Sequence, residues 1–186
     1  MQLFPALKVG FSNGWLLAAI FYLVFGILLL VFPKPVVARL YDRSGQPGRS
    51  ALRRVFGVLL FLAWLTLAIL TPLKAGSLVL VLGLAVYGLG LIGFVVALLN
   101  YRSTPLDQPA TAGLYRISRH PQQFTLSVAF LGISIAMGSW PAFVLMAIGV
   151  IGAHLKVCAE EEACLQRYGE PYRRYMARVP RYFLFF

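Results

Sequence analysis

Residues 124–155, FTLSVAFLGISIAMGSWPAFVLMAIGVIGAHL, form a run without one Asp, Glu, Lys or Arg, and its reading decides the fold. It is either one long helix or two short ones hinged at Gly138-Ser139-Trp140-Pro141. The basic residues on its two sides decide between them. Arg102, Arg116 and Arg119 precede the run, and Lys156, Arg167, Arg173, Arg174, Arg178 and Arg181 follow it. The excess of Lys and Arg on cytoplasmic segments puts both flanks on one side, so the chain crosses an even number of times between them. The run is therefore expected to be a hairpin of two short helices. Whether these fall short of a full crossing or begin below the membrane surface, they leave room for a cavity beneath.

Working outward, Trp15 to Phe32, Val55 to Leu73 and Leu78 to Leu99 are uncharged apolar runs. Each is close to the roughly 20 residues that a helix needs to cross the hydrocarbon. Pro33 and Pro35 end the first run. Residues 33–54 read as a basic loop broken by Gly45, Pro47 and Gly48, and Pro72, Lys74 and Gly76 make the next turn. The expected fold is a single all-α domain, a polytopic membrane bundle of five transmembrane helices with C-terminal cytosolic helices. Residues 1–99 hold three spans, 100–123 a cytosolic loop, 124–155 the hairpin and 156–186 the C-terminal helices. The N-terminus is expected outside, and the C-terminus inside. Of the 17 Lys and Arg residues only Lys8 and Lys74 then fall outside, while Trp15 and Trp140 reach the outer interface, where indole rings prefer to sit.

Composition supports this class. Hydrophobic residues make up 60%, charged residues 12%, and the mean hydropathy is +0.79, which excludes an ordinary soluble domain. The net charge of +11 lies beside the spans, not on a soluble stripe with interleaved aromatics, so it points to membrane lipids and not to nucleic acid. Cys158 and Cys164 lie six residues apart, on different faces of a helix, and are expected to stay unpaired. Only Lys8 precedes the first apolar run, which is long enough to span, so no cleavable leader is expected. No metal-ligand spacing and no Ser/His/Asp or Cys/His arrangement occurs.

Beyond Leu155 the helix is expected to continue through Glu160-Glu161-Glu162 to Tyr168 and to end at Gly169. Pro171 then opens a new helix, with Tyr168, Tyr172 and Tyr175 along one side and its end at Val179-Pro180. The terminal Tyr182 to Phe186 would anchor at the lipid interface.

Five features bear on chemistry. Gly88-Leu89-Gly90-Leu91-Ile92-Gly93 has the spacing of a dinucleotide loop, but no strand precedes it and it lies inside an apolar span. Glycines there let helices approach closely. Gly113-Leu114-Tyr115-Arg116-x-x-Arg119-His120-Pro121 places a proline at the first turn of a helix, whose free N–H groups favour an anionic group. The competing reading is a basic juxtamembrane stop with an incidental histidine. The glutamates at 160–162 are either a solvated face, counter-charges to the arginines, or a hold for a cationic cofactor. Lys156 pairs with Glu160 at i,i+4, snorkels, or binds a substrate anion. His154 reads as a hydrogen-bonded core histidine.

The block Gly113-x-Tyr115-Arg116-x-x-Arg119-His120-Pro121, followed by a hairpin and then by Glu160-Glu161, Tyr168-Gly169, Tyr172, Tyr175 and Val179-Pro180-Arg181, resembles the isoprenylcysteine carboxyl methyltransferase family. Phospholipid N-methyltransferases are similar. The resemblance covers about residues 100–182. It implies an integral membrane methyltransferase that uses S-adenosyl-L-methionine without a dinucleotide-type domain, with the cofactor under the hairpin and a lipophilic or lipid substrate entering from the bilayer. Carried over by position, Tyr115, His120, Pro121 and Glu160 would contact the cofactor, with Arg119, Gln123 and Glu161 nearby. Asp107, Gln108, Pro109, Ala110 and Asn100 would line the same pocket. Lys156, Arg173 and Arg174 would lie on the substrate side. The family's Arg-His-Pro-x-Tyr-x-Gly differs here, with Gln123 and Thr125 in place of the Tyr and the Gly, which bears on the substrate more than on the cofactor. Two other classes compete. A sterol-type membrane reductase would bind NADPH and need extra positive charge for its 2′-phosphate, and its C-terminal pattern lacks the Glu-Glu and Val-Pro-Arg elements. A non-enzymatic scaffold or small transporter would leave the clustered Tyr, His and Glu unexplained, and no inverted repeat is visible.

Overall fold

The structure is a computed structural model and describes residues 1–3, 5–42 and 51–183. Among these residues the chain forms seven α-helices, one 3-10 turn and no sheet. The helices are α1 (Trp15–Val31), α2 (Lys34–Tyr41), α3 (Ala51–Leu70), α4 (Leu78–Arg102), α5 (Pro121–Ala136), α6 (Trp140–Tyr168) and α7 (Glu170–Arg178); the 3-10 turn spans Gly113–Arg116. Their ends follow local chemistry. Phe32 turns extended ahead of Pro33, as a residue before proline tends to do. Ser77 Oγ accepts from Leu80 N and Ser139 Oγ from Ala142 N, capping α4 and α6. Gly169, at φ +60°, separates α6 from α7 as expected.

The helices run up and down between two ends. At one end the N-terminal segment, the 71–77 turn and the α5–α6 turn meet. There Gln2 N donates to Gly138 O, Trp140 N donates to Gln2 O, and Asn13 Nδ2 donates to Lys8 O and Ile69 O. At the other end gather the 103–112 loop, the 3-10 turn, the start of α5, the end of α6 and α7. The core lies where α1, α3, α4 and α5 meet. Phe21, Phe94, Phe130 and Trp64 pack with ring centroids 5.0–5.3 Å apart. Two hydrogen bonds join helices across it, Trp64 Nε1 to Ser134 Oγ and Tyr87 OH to Leu17 O, both 2.9 Å.

The closest seam is antiparallel, between α4 and α5. A Cβ on Gly83 would overlap the backbone of Ala136, one on Gly90 that of Ala129, and one on Gly132 that of Tyr87. The glycine run within α4 thus serves helix approach, through Gly90 and Gly93, while Gly88 faces open space. Opposite Gly93 lies Thr125, whose Cγ2 would be 2.7 Å from an added Cβ. The extra bulk of Thr125 on α5 is accommodated by a glycine on α4.

Three helices, α3, α4 and α6, are long and apolar enough to cross a membrane, and α1 is a shorter apolar helix. α5 has 16 residues and a lower hydropathy, yet half of it is buried. A helix packed among other helices needs small residues more than greasy ones. Three expectations require correction. Residues 33–54 are not simply a loop: Pro35 in a first helical turn and the apolar Val36, Val37 and Leu40 build α2, whose inner side packs on the core. The expected breakers Gly45, Pro47 and Gly48 lie outside the described residues, as do the last three residues of the expected C-terminal anchor. The expected continuation to Tyr168 is present, α6 running unbroken for 29 residues, but its apolar part is long enough to cross a membrane and is not a short arm. His154 is exposed and not in the core; its Nδ1 lies 3.2 Å from Tyr182 OH. Cys158 and Cys164 are free.

Candidate functional site

The motif at 113–121 folds back under the bundle for reasons visible in its residues. Gly113 sits at φ +61°, where a Cβ would also overlap the Asn100 side chain. That close approach lets Asn100 Oδ1 accept from Leu114 N at 2.9 Å and so pins the 3-10 turn to the end of α4. Tyr115 is thereby buried, and its carbonyl accepts from Tyr175 OH at 2.7 Å. His120 precedes Pro121, which opens α5.

The C-terminal block closes on this motif. Arg119 N donates to Pro180 O (2.9 Å), Ser118 Oγ to Arg181 O (3.0 Å) and Arg119 Nη1 to Met176 O and Val179 O (2.7 and 2.8 Å). Glu161 is the hub. Its Oε1 accepts from Arg119 Nε at 2.7 Å and lies 3.3 Å from His120 Nε2, and its Oε2 accepts from Arg181 Nε and Nη2 at 3.0 and 2.7 Å. The side chains of Arg119 and Glu161 are each 4% exposed. α6 loses its apolar character at Lys156, so this carboxylate lies beyond the stretch fit to cross a membrane. Burial raises its pKa, but the His120 and Arg181 hydrogen bonds and the Arg119 charge outweigh that and lower it to about 2.

Above the hub is a cavity of about 350 Å³, within the range of small-molecule sites. Tyr115, Arg119, His120, Gln122 and Gln123 line one side, Lys156, Glu160, Cys164, Arg167 and Tyr168 of α6 another, and Tyr172 and Tyr175 of α7 a third. The loop gives Gln108, Pro109 and Ala110; α2 gives Arg39 to Asp42; and Phe25, Phe94, Leu98 and Leu126 form an apolar wall. Glu160 Oε1 lies 3.4 Å from Lys156 Nζ, and its Oε2 lies 3.8 Å from His120 Nδ1. Burial raises the phenols of Tyr115, Tyr172 and Tyr175 well above their ordinary values, so they stay neutral.

The structure therefore gathers nine of the sequence candidates on one cavity: Gln108, Pro109, Ala110, Tyr115, Arg119, His120, Gln123, Lys156 and Glu160. Asn100 and Glu161 stand behind its wall as supports, and Pro121 is buried at the start of α5. Asp107 is exposed in the loop, and Arg173 and Arg174 are exposed on α7, away from the lining. Arg39, Tyr101, Gln122, Cys164 and Arg167 also line the cavity without having been singled out. The apolar pair Val36-Val37 and Leu40, one turn on, were the available sign of α2 and hence of Arg39.

Among the described residues no group of His, Cys, Asp and Glu could hold a metal ion. A cationic organic cofactor fits the residues better. The cavity offers a carboxylate at Glu160, neutral aromatic walls, and a buried amide donor, Gln122 Nε2, that makes no hydrogen bond. Neither the curated proteins nor the solved structures contain a match to the chain. Residues 98–171, which carry the turn, the hairpin and both glutamates of the site, match the model of the phospholipid methyltransferase family.

Proposed function

We propose that the chain is an integral membrane methyltransferase that transfers a methyl group from S-adenosyl-L-methionine to a lipophilic or membrane-embedded acceptor. The observation that carries this reading is the single cavity where His120, Glu160, Tyr115 and the 108–110 loop converge, at the charged end of apolar helices and largely within the matched segment. Five membrane crossings, by α1, α3, α4, α5 and α6, with the cavity on the cytoplasmic side, accord with nearly all the Lys and Arg among the described residues lying at that end of the bundle.

The cofactor supplies a methyl group on a positively charged sulfur. Glu160 and the faces of Tyr115, Tyr168 and Tyr172 are the groups that would hold that cation, and Gln122 Nε2 would donate to one of its acceptors. The protein's part is chiefly orientation and exclusion of water, which can supply about 7–11 kcal/mol of a barrier when two reactants are aligned. A carboxylate or thiolate acceptor needs no strong base. An amine acceptor must lose a proton, and His120, between Glu160 and Glu161, is placed to take it.

The test is titration calorimetry of purified protein with S-adenosylhomocysteine. Binding is expected for wild type and at least tenfold weaker binding for His120→Ala and Glu160→Ala. Equal affinity in all three sinks the cofactor assignment. Labelled S-adenosylmethionine incubated with a membrane lipid extract would then identify the acceptor.

A further inference from the structure

The chain has six Asp and Glu side chains, all among the described residues. Asp42 pairs with Arg167, Glu160 with Lys156, Glu161 with Arg119 and Arg181, and Glu170 with Arg173; Asp107 and Glu162 are exposed. Three of the four Lys and Arg residues lining the cavity are therefore matched to a carboxylate. Arg39 is the fourth, and no carboxylate among the described residues lies within ion-pair distance of it. Its Nη1 and Nη2 donate to the carbonyls of Pro105 and Tyr101 at 2.6 and 2.9 Å, and its guanidinium lies 4.2 Å above the Tyr101 ring. Its Nε is buried and makes no hydrogen bond.

A partly buried guanidinium held rigidly, with neutral partners only and one donor unused, is a costly arrangement unless an anion completes it. The rigid fork suits a carboxylate or phosphate. Position narrows the ligand further. α2, which carries Arg39, follows α1 directly, and most of the apolar wall comes from α1 (Phe25) and α4 (Phe94 and Leu98), with Leu126 of α5 completing it. His120 stands at the N-cap position of α5, and Lys156 and Glu160 lie on α6.

We propose that Arg39 is the specificity-determining residue for the acceptor, binding an anionic oxygen that the acceptor carries next to its lipophilic tail. This rests on the function proposed above. It assigns the acceptor to anionic amphiphiles and places recognition in α2, outside the segment that matches the family. A carboxylate and a phosphate share this chemistry, so both are tested.

The experiment measures binding to detergent-purified protein of two probe pairs. One is S-farnesyl-N-acetylcysteine and its carboxamide; the other is farnesyl phosphate and farnesol. S-adenosylhomocysteine is titrated in parallel. Wild type should prefer the charged member of at least one pair by about tenfold or more, and the pair that discriminates names the anion. Arg39→Gln should erase the preference while leaving affinity for S-adenosylhomocysteine within about twofold. Arg39→Lys, which keeps the charge and the fold but loses the fork, should retain only part of it. The proposal is overturned if wild type shows no preference in either pair, if the preference survives in Arg39→Gln, or if cofactor-analogue affinity falls in step with it, which would put the cofactor's own carboxylate on Arg39. Failure of wild type to bind S-adenosylhomocysteine at all would instead defeat the methyltransferase reading.

Discussion

Glu161 should prove to be the support of the site and Glu160 its working face, although the two are adjacent in sequence. Replacing Glu161 by Gln removes the charge on which Arg119, Arg181 and His120 converge at 2.7–3.3 Å. Arg119, 4% exposed, would keep only neutral acceptors, the carbonyls of Met176 and Val179 and the amide oxygen that replaces the carboxylate. Removing one partner of a buried ion pair costs about 3–5 kcal/mol, because the other charge is left uncompensated. A carboxyl held at about 2 against an ordinary 4.5 gives a similar figure, about 3 kcal/mol, from a different direction. For a chain of this size that corresponds to a loss of roughly 10 °C in thermal midpoint. Glu160→Gln alters a more exposed side chain and should lower the midpoint by no more than ~2 °C while weakening S-adenosylhomocysteine binding. Thermal unfolding in detergent, followed by intrinsic fluorescence, reads both variants. A Glu161→Gln midpoint within ~2 °C of wild type, or equal losses for the two variants, would refute this division of roles.

Other outcomes follow from the same geometry. The Glu161 contribution to stability should be complete above pH 4.5 and fade as pH falls toward about 2, because its folded-state carboxyl is the more acidic one; acid melts of wild type should show this loss and Glu161→Gln should lack it. Gly90→Leu should cost about 3 kcal/mol, since no side chain fits against the Ala129 backbone, whereas Gly88→Ala, facing open space in the same helix, should be neutral or stabilising by up to ~1 kcal/mol. Thermal midpoints moving the same way in both would contradict the α4–α5 seam. Tyr175→Phe removes the bond to the Tyr115 carbonyl and should cost about 1 kcal/mol, with a measurable fall in S-adenosylhomocysteine affinity by calorimetry.

The large elements were legible because their signals are local. Uncharged runs of membrane length, Pro121 at a helix start, and Gly169-x-Pro171 at the α6–α7 break each act within a few residues, and the structure has helices and breaks at those places. The hinge at 138–141 was also readable, since glycine and proline limit backbone choice whatever surrounds them. α2 was missed because its eight residues follow Pro33 and carry Pro35 and two basic side chains, a composition that reads as loop until packing on the core is known.

What the sequence alone determined is the class of molecule: an all-helical chain with membrane-length apolar helices and two polar blocks kept to one end by their charges. Which of those polar residues face a cavity was decided only in three dimensions. Glu160 and Glu161 sit one residue apart, and rotation about the α6 axis turns the first toward the cavity and the second toward Arg119 and Arg181. Arg39 reached the site through a contact 62 positions away. Hydropathy and spacing record what a residue is and who its near neighbours are. Burial, ion pairing and an unused donor depend on what the fold brings across from elsewhere, and no local pattern contains that information.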